Sequence, residues 1–337
     1  MVESRSKRAK EVIDTFGVKT DVCRRVEEEF LGKDARLFKV DIDVPGQVYL
    51  LDSQEGVEIA SQPELVGSDL SAKALALAEK ASRILVHMIK DDQTVFLHVL
   101  RGSPGYMLHE ALRRHTANIR EIYIRISSHA VPGESSVTYG SLGEIPSMIE
   151  NVIVADTVAT GQTLESAFKY LVKIGELKGL RFKRVFVYGF LSEPGVKKAA
   201  TFLDSLDVES VFIGIEDLSA LALNNFDMPL YGLDLDLPGK NPLGGTTDTS
   251  ILEKMIDSYF PGLDQPGDWS ERQCILFTGE SMEHGRIREH LEKTLARLEA
   301  SKSKLSDYGW YPEWLERVYE TRKRRLEEAL TMQHCPM

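Results

Sequence analysis

Apolar and polar positions change rhythm along this chain. Over Arg5–Phe16 and Cys23–Leu31 apolar residues recur at three- and four-residue steps, which predicts two short helices. Arg36–Val44 and Gln47–Leu51 alternate instead, as strands do, on either side of the turn Pro45-Gly46. Ser71–Ile89, rich in Ala and Leu, returns to the helical period. From Thr94 the pattern becomes continuous apolar runs separated by helical stretches. Thr94–Leu100, Glu121–Ser127, Asn151–Asp156, Phe182–Leu191 and Ser210–Ile215 read as strands, and Tyr106–His115, Leu164–Ile174 and a segment from Pro194 as helices. Strands apolar on both faces and joined by helices predict an α/β fold, a mainly parallel twisted sheet flanked by helices.

Two stretches depart from that rhythm. Ser128–Ser147 is long, polar and rich in Gly and Ser, the composition of a mobile functional loop. After Leu237-Pro238-Gly239 the chain reads as loop-rich to Asp268, then as charged helices from Glu280 to Leu330. In those helices Trp310 and Trp314, one turn apart, would pin a helix to the core or to a partner subunit. The tract Arg322-Lys323-Arg324-Arg325 sits among glutamates and reads as a solvated helix face.

The formal net charge of −11 over 337 residues argues against a nucleic-acid surface. It leaves room for a small anion, which needs only a few local donors. Cys23, Cys274 and Cys335 are far apart in sequence with no C-x-x-C pair, so neither a disulfide nor a zinc site is expected, and a reducing cytoplasm is. No apolar run approaches the roughly 20 residues that span a membrane.

The densest chemistry lies in Val152–Thr163, V-I-V-A-D-T-V-A-T-G-Q-T. An apolar strand ends in an acid, passes a turn of small residues and opens a helix. A helix start offers unpaired amides and the positive end of its dipole to a phosphate. Gly161 would let backbone approach the ligand, and Thr160 and Thr163 would add hydroxyl donors. Asp156, at the carboxyl end of its strand, would stand where open α/β sheets bind ligands and could hold two ribose hydroxyls. The plainer alternative is that Asp156 and Thr157 cap a helix.

This segment resembles the phosphoribosyl diphosphate (PRPP) signature of the type I phosphoribosyltransferases, with Ala155 in place of the first of the usual two acids. Val99-Leu100-Arg101-Gly102-Ser103-Pro104-Gly105 resembles the family's pyrophosphate loop, particularly its uracil-using form. Ile122–Arg125 followed by Val137-Thr138-Tyr139-Gly140 resembles its flexible lid. The resemblance implies a phosphoribosyltransferase-like core over 71–268 with a base-binding hood, an N-terminal α+β extension over 1–70 and a helical extension over 269–337. It implies transfer of ribose 5-phosphate from PRPP to a nucleobase-like acceptor, with Mg²⁺ neutralising the pyrophosphate that leaves, in a homodimer.

By the same resemblance Arg101, Gly102, Ser103 and Gly105 would hold pyrophosphate. Asp156, Thr157, Ala159, Thr160, Gly161, Gln162 and Thr163 would hold the ribose and its 5′-phosphate, with Asp156 and Arg101 closest to the chemistry. Arg125, Thr138 and Tyr139 would belong to the lid. Two segments compete for the base. Tyr231–Asp236, with Tyr231 and Asp234, is similar to the base-side strand of purine-using members. Tyr259–Asp268, with Gly262, Leu263 and Asp268, is similar to the uracil loop, which makes uracil the leading acceptor. Asp268 or Asp236 would contact the metal. Ala155 and the two extensions leave open a PRPP- or nucleotide-sensing regulator without turnover. A purine or an unusual heterocycle remains the other acceptor. His98, on an apolar strand, reads as a core histidine.

Overall fold

The computed structural model describes residues 3–89, 92–116, 119–128, 135–143, 148–178, 181–237, 239 and 241–335. Its strands are β1 (Val18–Lys19), β2 (Cys23–Val26), β3 (Ala35–Val40), β4 (Gln47–Ser53), β5 (Thr94–Leu100), β6 (Ile119–Ser128), β7 (Ser135–Ser141), β8 (Met148–Ala155), β9 (Arg181–Ser192), β10 (Glu209–Ser219), β11 (Gly245–Thr246), β12 (Ile275–Phe277) and β13 (Met282–His284). The α-helices are α1 (Arg5–Phe16), α2 (Gln54–Ser61), α3 (Gly67–Ile89), α4 (Leu108–Arg113), α5 (Gln162–Lys178), α6 (Glu193–Asp204), α7 (Thr249–Met255), α8 (Ile287–Tyr308) and α9 (Glu313–Leu330). None of the described helices is long and apolar enough to cross a membrane.

One sheet runs in the order β2-β3-β4-β10-β9-β8-β5-β6-β7. Every pairing from β4 through β10, β9, β8 and β5 to β6 is parallel, and the two edges close with antiparallel strands. The fold is therefore α/β, mainly parallel and flanked by helices. The first 70 residues share this sheet, because β4 pairs with β10 over Gln47–Leu51.

Alternation along the buried strands explains the two-sided core. On β8, Val152 and Val154 face the layer of α5 and α6, including Phe168, Leu171 and Val196. Ile153 and Ala155 face the opposite layer, which holds α1 and α3 together with Leu298, Trp314 and Leu326 of α8 and α9. Trp310 packs edge-on to Phe16 at 4.8 Å, and both tryptophan N–H groups donate to the Glu11 carboxylate. The C-terminal helices are thus pinned to α1 of the same chain. The basic tract is paired within the chain as well: Arg322 with Glu64 at 2.6 Å, Lys323 with Glu299, and Arg324 with Glu328.

Several sequence expectations change. Cys23–Leu31 is strand β2 followed by a 3₁₀ turn at Glu29–Leu31, because antiparallel pairing with β3 overrides the helical spacing. Tyr106–His115 splits into a 3₁₀ turn over Ser103–Tyr106 and the shorter α4. Within the expected loop 128–147, Ser135–Ser141 forms β7 and pairs with β6, while 129–134 and 144–147 lie outside the described residues. The loop-rich stretch contains α7, capped by the Asp248 carboxylate accepting from Ser250 N.

The cysteine expectation is corrected too. Cys274 and Cys335 form a disulfide with Cα atoms 5.6 Å apart, although 61 residues separate them in sequence. Spacing could not show this, because α8 and α9 run out and back between the two cysteines.

Beneath the carboxyl ends of the strands lies a fully buried arginine. Arg272 donates to the carbonyls of Ile59, Gln62, Leu65, Gln265 and Pro266, tying the end of α2 and the α2–α3 connection to the loop at Gln265–Pro266. Replacing it would strand those buried acceptors. Arg272→Met is expected to cost on the order of 3 kcal/mol, measured as a lower unfolding midpoint in denaturant. An unchanged midpoint would show that the loops hold each other without it.

Candidate functional site

From β5 to β10 the parallel core reads β6-β5-β8-β9-β10, the doubly wound order 2-1-3-4-5. The strand order reverses between β5 and β8. Connections from these neighbours leave in opposite directions, so a crevice opens beyond their carboxyl ends. The turn after β5 is Arg101–Gly105 and the turn after β8 is Asp156–Gly161. Residues of both turns line one cavity of about 830 Å³, with Trp269, Ser270, Glu271, His290 and Lys293 across from them.

The turn after β8 is built for close approach. Gly161 has φ +75°, and a Cβ there would sit 2.8 Å from the Gly195 carbonyl at the start of α6. Only glycine accommodates both constraints. Thr160 Oγ1 accepts from Gln162 N at 3.3 Å, ordering the entry to α5, whose first-turn amides have no preceding helical carbonyls. Asp156 N donates to Tyr188 O, fixing the end of β8 beside β9. Thr157 shares a 2.5 Å hydrogen bond with Tyr106, whose ring stacks on Trp269 at 4.4 Å. Burial pushes the Asp156 carboxyl up to about 7, against a bond from Thr157 that lowers it.

The turn after β5 is clamped from the other side. The Leu100–Arg101 peptide is cis. Trp269 Nε1 donates to Gly102 O at 3.2 Å, and a Cβ on Gly105 would overlap the Gln273 side chain. Arg101 reaches two acids, with Nη2 3.1 Å from Glu271 Oε1 and Nη1 2.9 Å from Glu283 Oε2. Burial works to raise the Glu271 carboxyl, but hydrogen bonds from Arg286 and the charge of Arg101 hold it below its ordinary value. Lys293 holds both oxygens of Asp268 at 3.0 and 3.1 Å. Burial and the nearby Asp227 push the Asp264 carboxyl up to about 7, and burial beside Arg272 takes His290 down to about 4.

The candidate residues distribute as follows. Arg101, Gly102, Asp156, Thr157, Ala159, Thr160, Gly161, Gln162, Thr163 and Asp268 line the one cavity. Ser103 is fully buried in the 3₁₀ turn behind it, and Gly105 packs on Gln273. Arg125 and Tyr139 are cross-strand partners on β6 and β7, and Tyr139 packs against Gly279 and Phe277. Thr138 is exposed, and among the described residues of this hairpin Ile126, next to Arg125, lines the cavity.

The base-side candidates other than Asp268 stand apart from the cavity lining. Tyr231 and Leu263 are in the core, and Asp234 accepts from Leu223 N and Asp236 N. Gly262 N donates to Leu230 O, and Leu230 N donates to Leu263 O, so these backbone groups are spent inside the protein. Asp236 is bound by Asn224 and Arg297. His98 is 1% exposed and its Nε2 lies 3.2 Å from the partly buried Glu121 carboxylate.

Sequence reading did not single out most of the opposite wall: Asn225, Phe226, Glu271, Arg286, His290 and Lys293, with Trp269 noted only as a departure from the uracil loop's usual ending. At the start of α8, the spacing of its N-cap Arg286 with Glu289, His290 and Lys293 puts one face toward the cleft, a periodic signal that was available. Trp269 and Glu271 carried none, since their partners lie about 170 residues away.

Among solved structures, the AQ2163 protein from Aquifex aeolicus is similar over 48% of this chain and 81% of its own, with 18% identity and a TM-score of 0.37. A hypoxanthine-guanine phosphoribosyltransferase from Bacillus anthracis is similar over 39% and 72%, with 17% identity and a TM-score of 0.29. That of L. donovani is similar over 45% and 80%, with 17% identity and a TM-score of 0.33. No protein-family profile matches the chain. No curated protein matches it.

Proposed function

We propose that this cleft binds PRPP and that the chain transfers its ribose 5-phosphate to a nucleobase-like acceptor, releasing pyrophosphate. One observation carries the reading: two turns some 50 residues apart in sequence meet at the sheet's switch point and line a single cavity. One brings a guanidinium beside a clamped backbone loop, suited to a diphosphate. The other brings a helix start with threonine hydroxyls, suited to a monophosphate. The acid between them suits the ribose.

In this mechanism Thr160–Thr163 hold the 5′-phosphate, and Arg101 with the Gly102 loop holds the diphosphate. Asp156 accepts from the ribose hydroxyls and, once ionised, stabilises positive charge developing at the sugar. Rate comes from positioning and electrostatics, and no covalent nucleophile is required. Among the described residues no three His, Cys, Asp or Glu side chains form a metal cluster. A Mg²⁺ ion carried by phosphate oxygens needs only one or two carboxylates, and Asp268, a carboxylate lining the cavity and held by Lys293, would be the one to meet it. Such an ion would neutralise the leaving pyrophosphate. A homodimer in the cytoplasm belongs to the same proposal.

The acceptor lies on the side of Trp269, Phe226 and Asp268. Pyrimidines, uracil among them, and purines are both candidates, since the Gly262 and Leu263 backbone is engaged with Leu230 and does not favour a uracil edge. A second reading, a PRPP-binding regulator without turnover, is favoured by Ala155 and by the two acids already engaging Arg101.

Pyrophosphate release in the presence of PRPP, Mg²⁺ and a panel of pyrimidines and purines separates the two readings. Turnover with at least one base is expected, and tight PRPP binding without product from any base would favour the regulator. Arg101→Ala is expected to weaken pyrophosphate binding about 10- to 100-fold by calorimetry, the worth of a charge-assisted contact. No change would remove Arg101 from the site.

Asp156 sets a pH dependence. The folded chain holds its proton up to about pH 7, against 3.8 ordinarily, so its contribution to stability is present below 3.8 and lost as pH rises through about 7. Catalysis needs the ionised form, so kcat/KM should climb through that pH. Asp156→Asn should lose transfer yet gain stability at pH 8, on the order of 1–2 kcal/mol. A variant that is both inactive and less stable would contradict this account of Asp156.

A further inference from the structure

The Arg101 guanidinium is engaged on two of its nitrogens by carboxylates from the C-terminal segment, Glu271 at 3.1 Å and Glu283 at 2.9 Å. Two carboxylates across one guanidinium offer it the same kind of anionic oxygens that a diphosphate would. The two acids are held differently. Glu271 is mostly buried and is also bound by Arg286 through its backbone N–H and its guanidinium, so it is a fixed part of the wall.

Glu283 is placed to move. It stands on β13, a strand of three residues whose sheet partner is β12, and its side chain is 44% exposed. The β12–β13 hairpin is anchored at its base, where Gly285 N donates to Cys274 O and Cys274 is disulfide-bonded to Cys335. Near its turn, Phe277 packs edge-on against Tyr123 and Tyr139 of the β6–β7 hairpin. The hairpin is thus held at its base and near its turn, while the exposed Glu283 side chain can leave Arg101 by rotating, without the strand itself moving.

We propose that the β12–β13 hairpin is an autoinhibitory latch whose Glu283 carboxylate competes with an incoming diphosphate for Arg101. The latch rests on the reading of this cleft as a diphosphate site. It makes binding conditional, because the ligand must bring enough negative charge to displace a carboxylate. Inorganic phosphate or a nucleoside would leave the pair closed, whereas a diphosphate ester would open it. The same contact links the cleft through Phe277 to Tyr139 on the neighbouring hairpin.

Calorimetric titration of the full chain with inorganic pyrophosphate, and with PRPP and Mg²⁺, tests the latch. Glu283→Gln is expected to bind both up to about 5-fold more tightly, the upper worth of a part-exposed ion pair. Glu280→Gln, on the exposed turn of the same hairpin, should leave both affinities unchanged. In an Arg101→Ala background the gain from Glu283→Gln should vanish. Equal or weaker binding by Glu283→Gln overturns the latch. Weakening confined to the Mg²⁺ titration would assign Glu283 to the metal instead. If neither protein binds pyrophosphate or PRPP, the phosphoribosyl reading falls and the latch with it. Binding by the unaltered chain without gain in Glu283→Gln removes the latch alone.

Discussion

The site depends on one topological constraint, the reversal of strand order between β5 and β8. A parallel strand delivers its following turn to the carboxyl edge, and neighbours whose connections diverge leave that edge uncovered. Arg101 follows β5 and Asp156 follows β8, so the fold itself brings a cation and an acid to the same opening. The two-sided core holds this arrangement rigid. Val152 and Val154 pack on the α5–α6 layer while Ile153 and Ala155 pack on the other, and the register of β8 against β5 and β9 cannot slip without exposing one set.

Charge in the cleft is balanced locally. Arg101, Arg286 and Lys293 each face a carboxylate, from Glu271 and Glu283, from Glu271 and Glu289, and from Asp268. A chain with a net charge of −11 can therefore present cations to an anion without an extended basic surface. The consequence is competition: an anionic ligand gains a cation only by displacing or sharing an acid. Asp156 sits on the other side of this balance, its carboxyl raised by burial and so sensitive to any cation that arrives with the ligand.

What the sequence disclosed follows from the range of the interactions involved. The strand, turn and helix around Asp156–Thr163 are specified within a dozen residues by apolar run, glycine and threonines, and each was legible. The strands of the parallel core were legible for the same reason, being continuous apolar runs. Cys23–Leu31 was misread because β2 takes its form from pairing with β3. The cleft's far wall was missed because Trp269 and Glu271 act on Gly102 and Arg101 from about 170 residues away. The Cys274–Cys335 bond was hidden in the same manner by the intervening α8–α9 hairpin. Local chemistry reads from sequence; the second wall of a cleft is a tertiary fact.

The base side shows how far likeness of segments carries. The backbone of Gly262 and Leu263 pairs with Leu230 inside the protein, so the groups that would read a pyrimidine edge from that loop are engaged elsewhere. On the proposed reading, recognition of the acceptor would fall to the side chains around Trp269, Phe226 and Asp268. A crystal structure of the chain soaked with PRPP and Mg²⁺ tests the central claim most directly. The account predicts the 5′-phosphate at the amides and hydroxyls of Thr160–Thr163, the ribose at Asp156 and the diphosphate at Arg101 and Gly102. Density for the ligand elsewhere, with this cavity left to solvent, would contradict it.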